Sequence, residues 1–570
     1  MDDNSGWDAE YDLVCAGSGA GGIAAAITAA SRGARVLVIE KDGRAGGVTA
    51  LTGGQIWVAP NPPQTAAGMG DSEADATAYL DFLSAGMGST DNRRAFVSRG
   101  NEALSFLAHA GLGLSIIPGL ADYYFPDAPG SKREGRYLEV LPFDASKLGA
   151  WADRMVVGEG GMTTPHGGSQ LTNADLAEAS TDYAELGRRK EARLASNQHC
   201  MGSGLMANLL HIALEKGVDV WLGSPAVGLL GTARVEGVVV GGDKPRRVRT
   251  RAVVLATGAY DWAPQLVETH EFIKNMYSLT LPTITGDHFA LASHFRGATA
   301  TTLPQGCSRH VGVHIPGETW GGKPLYRMMI MGLPHCVMVN RSGRRFGDES
   351  FFHTYSSSAY EFDGHTQSFP NWPAWIVFDQ NYRDKYAIGP IAAGAPMPEG
   401  MAVMDETLAG LAAKAGIDGA GLETSIARFN EACSKGVDTD FKRGSKPWSN
   451  SWGDARLSNP NLGPLVKAPF YAVPLERVGT GLASAGLRTD GDARVIDIGG
   501  KPVDGLYAVG NSAARIEMGC GYNSGMAIGR SLVFGYLAGL DATAPRSDST
   551  TSAGAPSSRQ ADKSVSESAA

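Results

Sequence analysis

Three glycines and one acid carry the first recognisable chemistry of this 570-residue chain. Gly17, Gly19 and Gly22 are spaced G-x-G-x-x-G, and Glu40 lies eighteen residues beyond the last of them. Glycines at that spacing permit a tight turn and bring backbone N–H groups against a diphosphate, and a carboxylate at that distance can accept hydrogen bonds from a ribose. Ser18 and Ala20 sit within the same cradle, and Lys41 follows the acid. The chemistry is recognition of a dinucleotide. To meet, these residues must occupy the ends of a β-α-β unit: the apolar run 13–16 reads as a strand, 23–31 as a helix offering its N-terminus to the phosphates, and 35–40 as a second strand. A Gly/Ala-rich helix packed for stability alone would leave Glu40 without a role.

Further glycine-rich pieces follow at long intervals. Residues 46–58, GGVTALTGGQIWV, hold Gly47, Thr49, Ala50, Gly53 and Gly54, and four glycines in nine positions let the backbone lie against a large flat ligand. The apolar strand within 249–262 ends in Ala256, Thr257 and Gly258, TGDHFALA (285–292) carries Asp287, and GLYAVGN (505–511) reads as a last buried strand ending at Asn511. Between about 295 and 460 aromatics, histidines and prolines replace the Gly/Ala/Val pattern.

Length and composition frame these pieces. The chain exceeds one ordinary core and divides into two domains or more. A net charge of −9 argues against a nucleic-acid surface. Six scattered cysteines form no C-x-x-C, so no metal site and no haem attachment is expected, and the thiols read as reduced and cytoplasmic. The first ten residues lack the basic and apolar regions of a signal peptide, and no run reaches the roughly 18 apolar residues of a membrane span. Residues 543–570 lack apolar periodicity and read as a disordered tail.

Four longer segments make the pattern specific: DYYFPDAPGSKREGRYLEVLPFDASKLG (122–149), NRSGRRFGDES (340–350), FNEACSKGVDTDFKRG (429–444) and NPNLGPLVKAPFYAV (459–473). With the glycine-rich pieces they resemble the fumarate reductase and 3-ketosteroid dehydrogenase flavoproteins, above all the 3-ketosteroid Δ1-dehydrogenases, over nearly the whole chain before the tail. The resemblance implies an α/β fold: a Rossmann-like, GR2-type FAD-binding domain over 8–290 and 465–542, interrupted by an inserted α+β cap over 291–464. It implies FAD as cofactor, touched by the glycine-rich segments, by Asp287 and by Ala527 and Ile528. Family members that bind FAD covalently carry a histidine where this chain has Gly47, so the flavin is expected to be held non-covalently.

The resemblance also nominates a catalytic set. An ungapped reading from Arg345-Phe346 puts His353 where ketosteroid dehydrogenases have a tyrosine base and fumarate reductases an arginine donor; one inserted residue would move Tyr355 there instead. Gly525 falls where the relatives use a backbone N–H to hold a ketone. Tyr522 replaces the substrate-binding arginine of fumarate reductases, one residue after the ketone-polarising tyrosine of ketosteroid dehydrogenases. Losing that arginine removes a bidentate carboxylate clamp, so a neutral carbonyl ligand fits better. Either Tyr123 or Tyr124 corresponds to a tyrosine that assists the base. The implied reaction is α,β-desaturation of a ketone. His353, or a tyrosine beside it, takes the α-proton, and the electrons leave to a diffusible acceptor. An ene-reductase of the fumarate or urocanate type and a catalytically silent FAD-bearing electron-transfer subunit stay open as alternatives.

Overall fold

A computed structural model describes residues 6–157, 170–179, 182–274, 276–303, 310–320, 322–328 and 331–545. The expected tail lies outside these residues from 546 onward. Among the described residues no helix is long and apolar enough to cross a membrane.

The glycine-rich pieces converge on one six-stranded sheet. Its spatial order is Arg494–Ile496, Pro502–Ala508, Val253–Leu255, Leu13–Ala16, Val36–Ile39 and Asp219–Trp221. All neighbours run parallel except the edge strand Arg494–Ile496. In register, Leu506 lies beside Val253, Val253 beside Val14, and Val14 beside Leu37. The central strands are covered on both faces, as their unbroken apolar runs require. Helix Ala20–Ser31 follows the first strand and starts three residues before its expected position. Gly19 stays extended as the N-cap, which leaves Gly22 inside the first turn.

That helix is buried from Ala20 to Thr28 and beyond because its small side chains admit a second helix, Met526–Ala542. At Gly535 a Cβ would fall 2.5 Å from the Gly21 carbonyl oxygen, and at Gly539 2.7 Å from that of Ala25. Backbones that approach so closely leave no room for even an alanine methyl.

The segment between the cofactor-type pieces builds its own layers. Strands Cys336–Asn340, Ala374–Asp379, Phe470–Pro474 and Val403–Asp405 form an antiparallel sheet. Helices Leu408–Ala415 and Gly419–Lys435 pack against one face, and a second apolar cluster that includes Phe378, Tyr382 and Tyr355 lies against the other. A second small sheet pairs His310–Trp320 with Lys323–Arg327 and with Glu476–Gly479.

Candidate active site

A cavity of about 470 Å³ runs from the glycine cradle into the space beneath the inserted segment. At the cradle end it is lined by Gly17, Gly19, Ala20, Glu40, Lys41, Gly47, Thr49, Gly53 and Gly54. Ala256, Thr257, Gly258, Asp287, Asn511, Ala527 and Ile528 close around the same space. The remaining cofactor-type residues stand one layer back. The Ser18 backbone N–H and hydroxyl both donate to Glu40 Oε2, at 2.9 and 2.7 Å, and the Asp42 N–H donates to Oε1 at 2.8 Å. Glu40 is thereby fixed in place even though burial raises its pKa. Gly22 permits the turn itself, since a Cβ there would lie 2.0 Å from the Gly17 carbonyl oxygen. Ala50 is buried and accepts from the Ser203 hydroxyl through its carbonyl.

These residues fit a dinucleotide. At Gly17, φ is +115° and a Cβ would meet the Ala256 carbonyl oxygen at 2.2 Å, so the strand ends can close only around glycine. Asn511 donates to the Gly481 carbonyl at 2.6 Å, while its buried Oδ1 has no partner among the described residues and borders the cavity. Lys41 reaches Asp287 at 3.0 Å and the Thr285 hydroxyl at 2.7 Å, tying the second strand to the far rim. The helices capped at Gly19 and Gly525 both open on the cavity, and the positive ends of their dipoles favour negative charge there.

The expected catalytic residues divide. Tyr123, Tyr522 and Gly525 line the same cavity; Tyr124 and His353 do not. Of the two adjacent tyrosines, Tyr123 is the fully buried one on the cavity wall, and Tyr124 turns onto Phe82 and Phe351. His353 sits in the first turn of helix Phe352–Ala359, where Phe352 and Tyr355 present their side chains to the cavity. A helix turns about 100° per residue, so one step along the chain carries the imidazole behind the wall. It remains close to the site: its ring centroid is 5.5 Å from that of Tyr123 and 6.1 Å from that of Tyr522. A hydrogen bond to the Tyr522 backbone anchors the ring, and Nε2 is buried with no partner among the described residues.

Burial, and after it the Arg515 guanidinium, push His353 down to about 3, so the ring is neutral at ordinary pH. Burial does the same to His288, also to about 3, whose Nδ1 lies 3.1 Å from the Thr257 hydroxyl. Unfolded, both rings titrate near 6.5. Between about pH 6.5 and pH 3 the unfolded chain therefore holds two protons that the folded chain does not, and stability falls as the solution is acidified. The slope is about 1.4 kcal/mol per pH unit for each ring. His288→Gln should flatten the fall of Tm with acid relative to the parent protein; an unchanged slope would show that this ring is not buried in its neutral form.

The segment NRSGRRFGDES has a positioning part. Arg345 grips Glu349 through Nε and Nη2 at 2.8 and 2.7 Å and Asp438 at 2.8 Å, and Arg443 reaches Glu349 at 3.2 Å. This buried network fixes the chain just before helix Phe352–Ala359, and so sets which residues of that helix face the cavity.

Several lining residues carry no motif. Gln55, Asn173 and Ser524 form a chain: Ser524 Oγ donates to Gln55 Oε1 at 2.6 Å, Gln55 Nε2 to Asn173 Oδ1 at 3.1 Å, and Asn173 Nδ2 to the Gly53 carbonyl at 2.7 Å. Trp448 and Trp452 join the wall from the inserted segment, as do His310 and Tyr355, whose hydroxyl lies 3.3 Å from His310 Nε2.

Comparison with known proteins agrees with this geometry. The model of the FAD binding domain family matches residues 12–527. The chain is 34% identical over 551 residues to a 4-oxocyclohexanecarboxylate 2-dehydrogenase of Sinomonas cyclohexanicum, covering 93% of this chain and 92% of the relative. It is 32% identical to a 3-oxosteroid 1-dehydrogenase of Mycolicibacterium smegmatis, covering 94% and 97%. Among solved structures it resembles 3-ketosteroid delta1-dehydrogenase from Sterolibacterium denitrificans in complex with 1,4-androstadiene-3,17-dione, with a TM-score of 0.84 at 28% identity over 93% of this chain and 98% of that one. A flavocytochrome c3 fumarate reductase shares the fold at a TM-score of 0.62 and 21% identity.

Proposed function

This chain belongs to the FAD binding domain family, and from that we propose that it is an FAD-dependent dehydrogenase that desaturates the carbon–carbon bond α,β to a ketone. The observation that carries the reading is a single cavity joining the glycine cradle to Tyr123, Tyr522 and Gly525. The relatives named for oxidation of 4-oxocyclohexanecarboxylate and of 3-oxosteroids point the same way. In this reading 8–290 with 465–542 form a Rossmann-like cofactor unit and 291–464 a cap. An apolar core of the inserted segment's own, built on Val337, Leu422 and Phe429, supports that division, with strand Phe470–Pro474 shared into the cap's sheet.

FAD, bound along the cradle, supplies the acceptor for the β-hydride. The chain's own residues hold and polarise the ketone. The Gly525 N–H and the Tyr522 hydroxyl donate to the ketone oxygen, which acidifies the α-carbon; a donor placed on a developing oxyanion contributes about 10²- to 10³-fold in rate. Tyr123, the cavity-facing tyrosine beside His353, takes the α-proton as its phenolate, the phenol having first lost its own proton to solvent in the cavity. The neutral imidazole, with its partnerless Nε2 turned among the same rings, acts through that tyrosine as a positioning residue. The direct base role expected for His353 is thus reassigned because of where the helix points the ring.

A neutral substrate is supported by charge. Among the described lining residues the only lysine or arginine is Lys41, at the cradle end and paired with Asp287, so no guanidinium is available to clamp a dicarboxylate. The test is anaerobic mixing of the oxidised holoprotein with a saturated cyclic ketone. The flavin absorbance should bleach with no NAD(P)⁺ present and recover on adding a dye acceptor. Strict dependence on a nicotinamide cofactor would overturn the assignment, and oxidation of the reduced protein by an enoate but not an enone would favour the ene-reductase.

Gly47 bears on how the flavin is held. Its φ is +54° and a Cβ would sit 3.3 Å from the Gly19 Cα, so the backbone there lies against the cradle and offers no side chain for a covalent link. Acid precipitation should release all of the yellow colour into the supernatant as FAD. Fluorescence travelling with the polypeptide on a denaturing gel would refute non-covalent binding.

A further inference from the structure

The cavity wall contributed by the inserted segment carries two indole N–H groups that nothing among the described residues satisfies. Trp448 and Trp452 both line the cavity, and the Nε1 atom of each is buried without a hydrogen-bond partner among the described residues. An indole N–H can only donate, so each of these atoms calls for an acceptor. The two rings lie 5.9 Å apart, and Trp448, 8% exposed, has its centroid 4.2 Å from that of Tyr123. Both rings therefore stand on the cavity wall next to Tyr123, beside the place assigned to the ketone ring.

The segment is held in position by its own contacts. Asn461 donates to the carbonyls of Ser449 and Gly332 at 3.2 and 2.9 Å, and Gly453 abuts Pro460, where a Cβ would meet the carbonyl oxygen at 2.5 Å. Preorganised donors cost a ligand little ordering.

We infer that Trp448 and Trp452 form a second polar subsite that takes an uncharged carbonyl oxygen of the substrate, so that the preferred substrate is a compact cyclic ketone carrying an ester, acyl or second oxo group across the ring. The inference rests on the reading of this cavity as a ketone site. Two uncharged donors on a wall whose described lining holds no lysine or arginine but Lys41 at the cradle end satisfy a carbonyl oxygen, whereas burying a carboxylate there would leave its charge without a counter-ion. Aromatic walls from Trp448, Phe352 and Tyr123 flank the ring itself.

The experiment compares 4-methylcyclohexanone, methyl 4-oxocyclohexanecarboxylate and the free 4-oxocyclohexanecarboxylate anion with the holoprotein, its Trp448→Phe variant and its Trp452→Phe variant. Each substrate's kcat/KM is measured together with its Kd by calorimetry. The parent protein should favour the ester over both others. Each variant should lower the ratio of kcat/KM for ester over methyl ketone by about threefold to tenfold, through KM, as expected for loss of one neutral hydrogen bond. A ratio unchanged in both variants would overturn the subsite while leaving the dehydrogenase reading intact. A parent protein that favours the free carboxylate would overturn the uncharged acceptor. If no ketone is oxidised but the ester's Kd still weakens in the variants, the dehydrogenase reading fails and the subsite stands; if that Kd too is unmoved, both fail.

Discussion

Tyr123→Phe should slow bleaching of the flavin by a saturated cyclic ketone by about 10²-fold or more, with FAD content unchanged. The substitution removes one hydroxyl and keeps the ring that packs between Phe351, Phe352 and Trp448, so the wall should survive. Exchange of solvent deuterium into the substrate's α-position should stop with it. His353→Ala should cost less, because the imidazole acts from behind the tyrosine. The pH profile separates the two further. A surface-like histidine base would give a limb near 6.5, but burial holds this ring down to about 3, so the rate should show no histidine limb between about pH 5 and 8. Should Tyr123→Phe keep the parent rate while Tyr355→Phe abolishes it, the proton goes to Tyr355 and its neighbour His310. Should only His353→Ala abolish the rate, the imidazole takes the proton directly.

Gly525→Ala should reduce the rate per bound flavin by at least about 10²-fold. Gly525 has φ +80°, a conformation that costs an alanine roughly 1–2 kcal/mol, and the added Cβ would lie 2.7 Å from the Trp57 nitrogen. Trp57 donates to the Gly525 carbonyl at 3.1 Å, so relief of the clash must move the backbone that offers its N–H to the ketone. Loss of one such donor alone is worth about 10²- to 10³-fold. Gly529→Ala is the comparison, because its Cβ would press on the same Trp57 backbone, 2.2 Å from the carbonyl oxygen, from within the helix. Equal losses per flavin in the two variants would mean that packing, and no donor at the ketone, explains the effect.

What the sequence disclosed follows from range. The cradle was legible because Gly17, Gly19, Gly22 and Glu40 act within one β-α-β unit, where spacing translates directly into proximity. Strand Leu13–Ala16 was legible for the same reason, and the turn at Ala256 to Gly258 through the apolar strand that ends in it. The catalytic wall was legible only as far as neighbourhood. His353 is within 6.1 Å ring to ring of Tyr522, yet its facing depends on where helix Phe352–Ala359 starts, and one residue of phase replaces an imidazole at the cavity by Phe352. Gln55, Asn173 and Ser524 meet only through the tertiary fold, and each is too common a residue type to announce itself. Trp448 and Trp452 were hidden differently. Aromatic residues at i and i+4 read as ordinary core, and only the partnerless Nε1 atoms distinguish them.

The crossing of helices Ala20–Ser31 and Met526–Ala542 bears on how the protein is made. The earlier helix emerges from the ribosome long before its partner, with an alanine-rich face left uncovered in the meantime. Strand Val253–Leu255 likewise waits with one open edge until Pro502–Ala508 arrives. Helix and edge remain uncovered through most of translation, the condition in which nascent chains associate wrongly or are shielded by chaperones. A pocket assembled from both helices cannot take up its ligand before the later one has emerged. Loading therefore waits on the later helix, and the supply of free cofactor at that moment decides how much of each batch of new protein reaches the finished state.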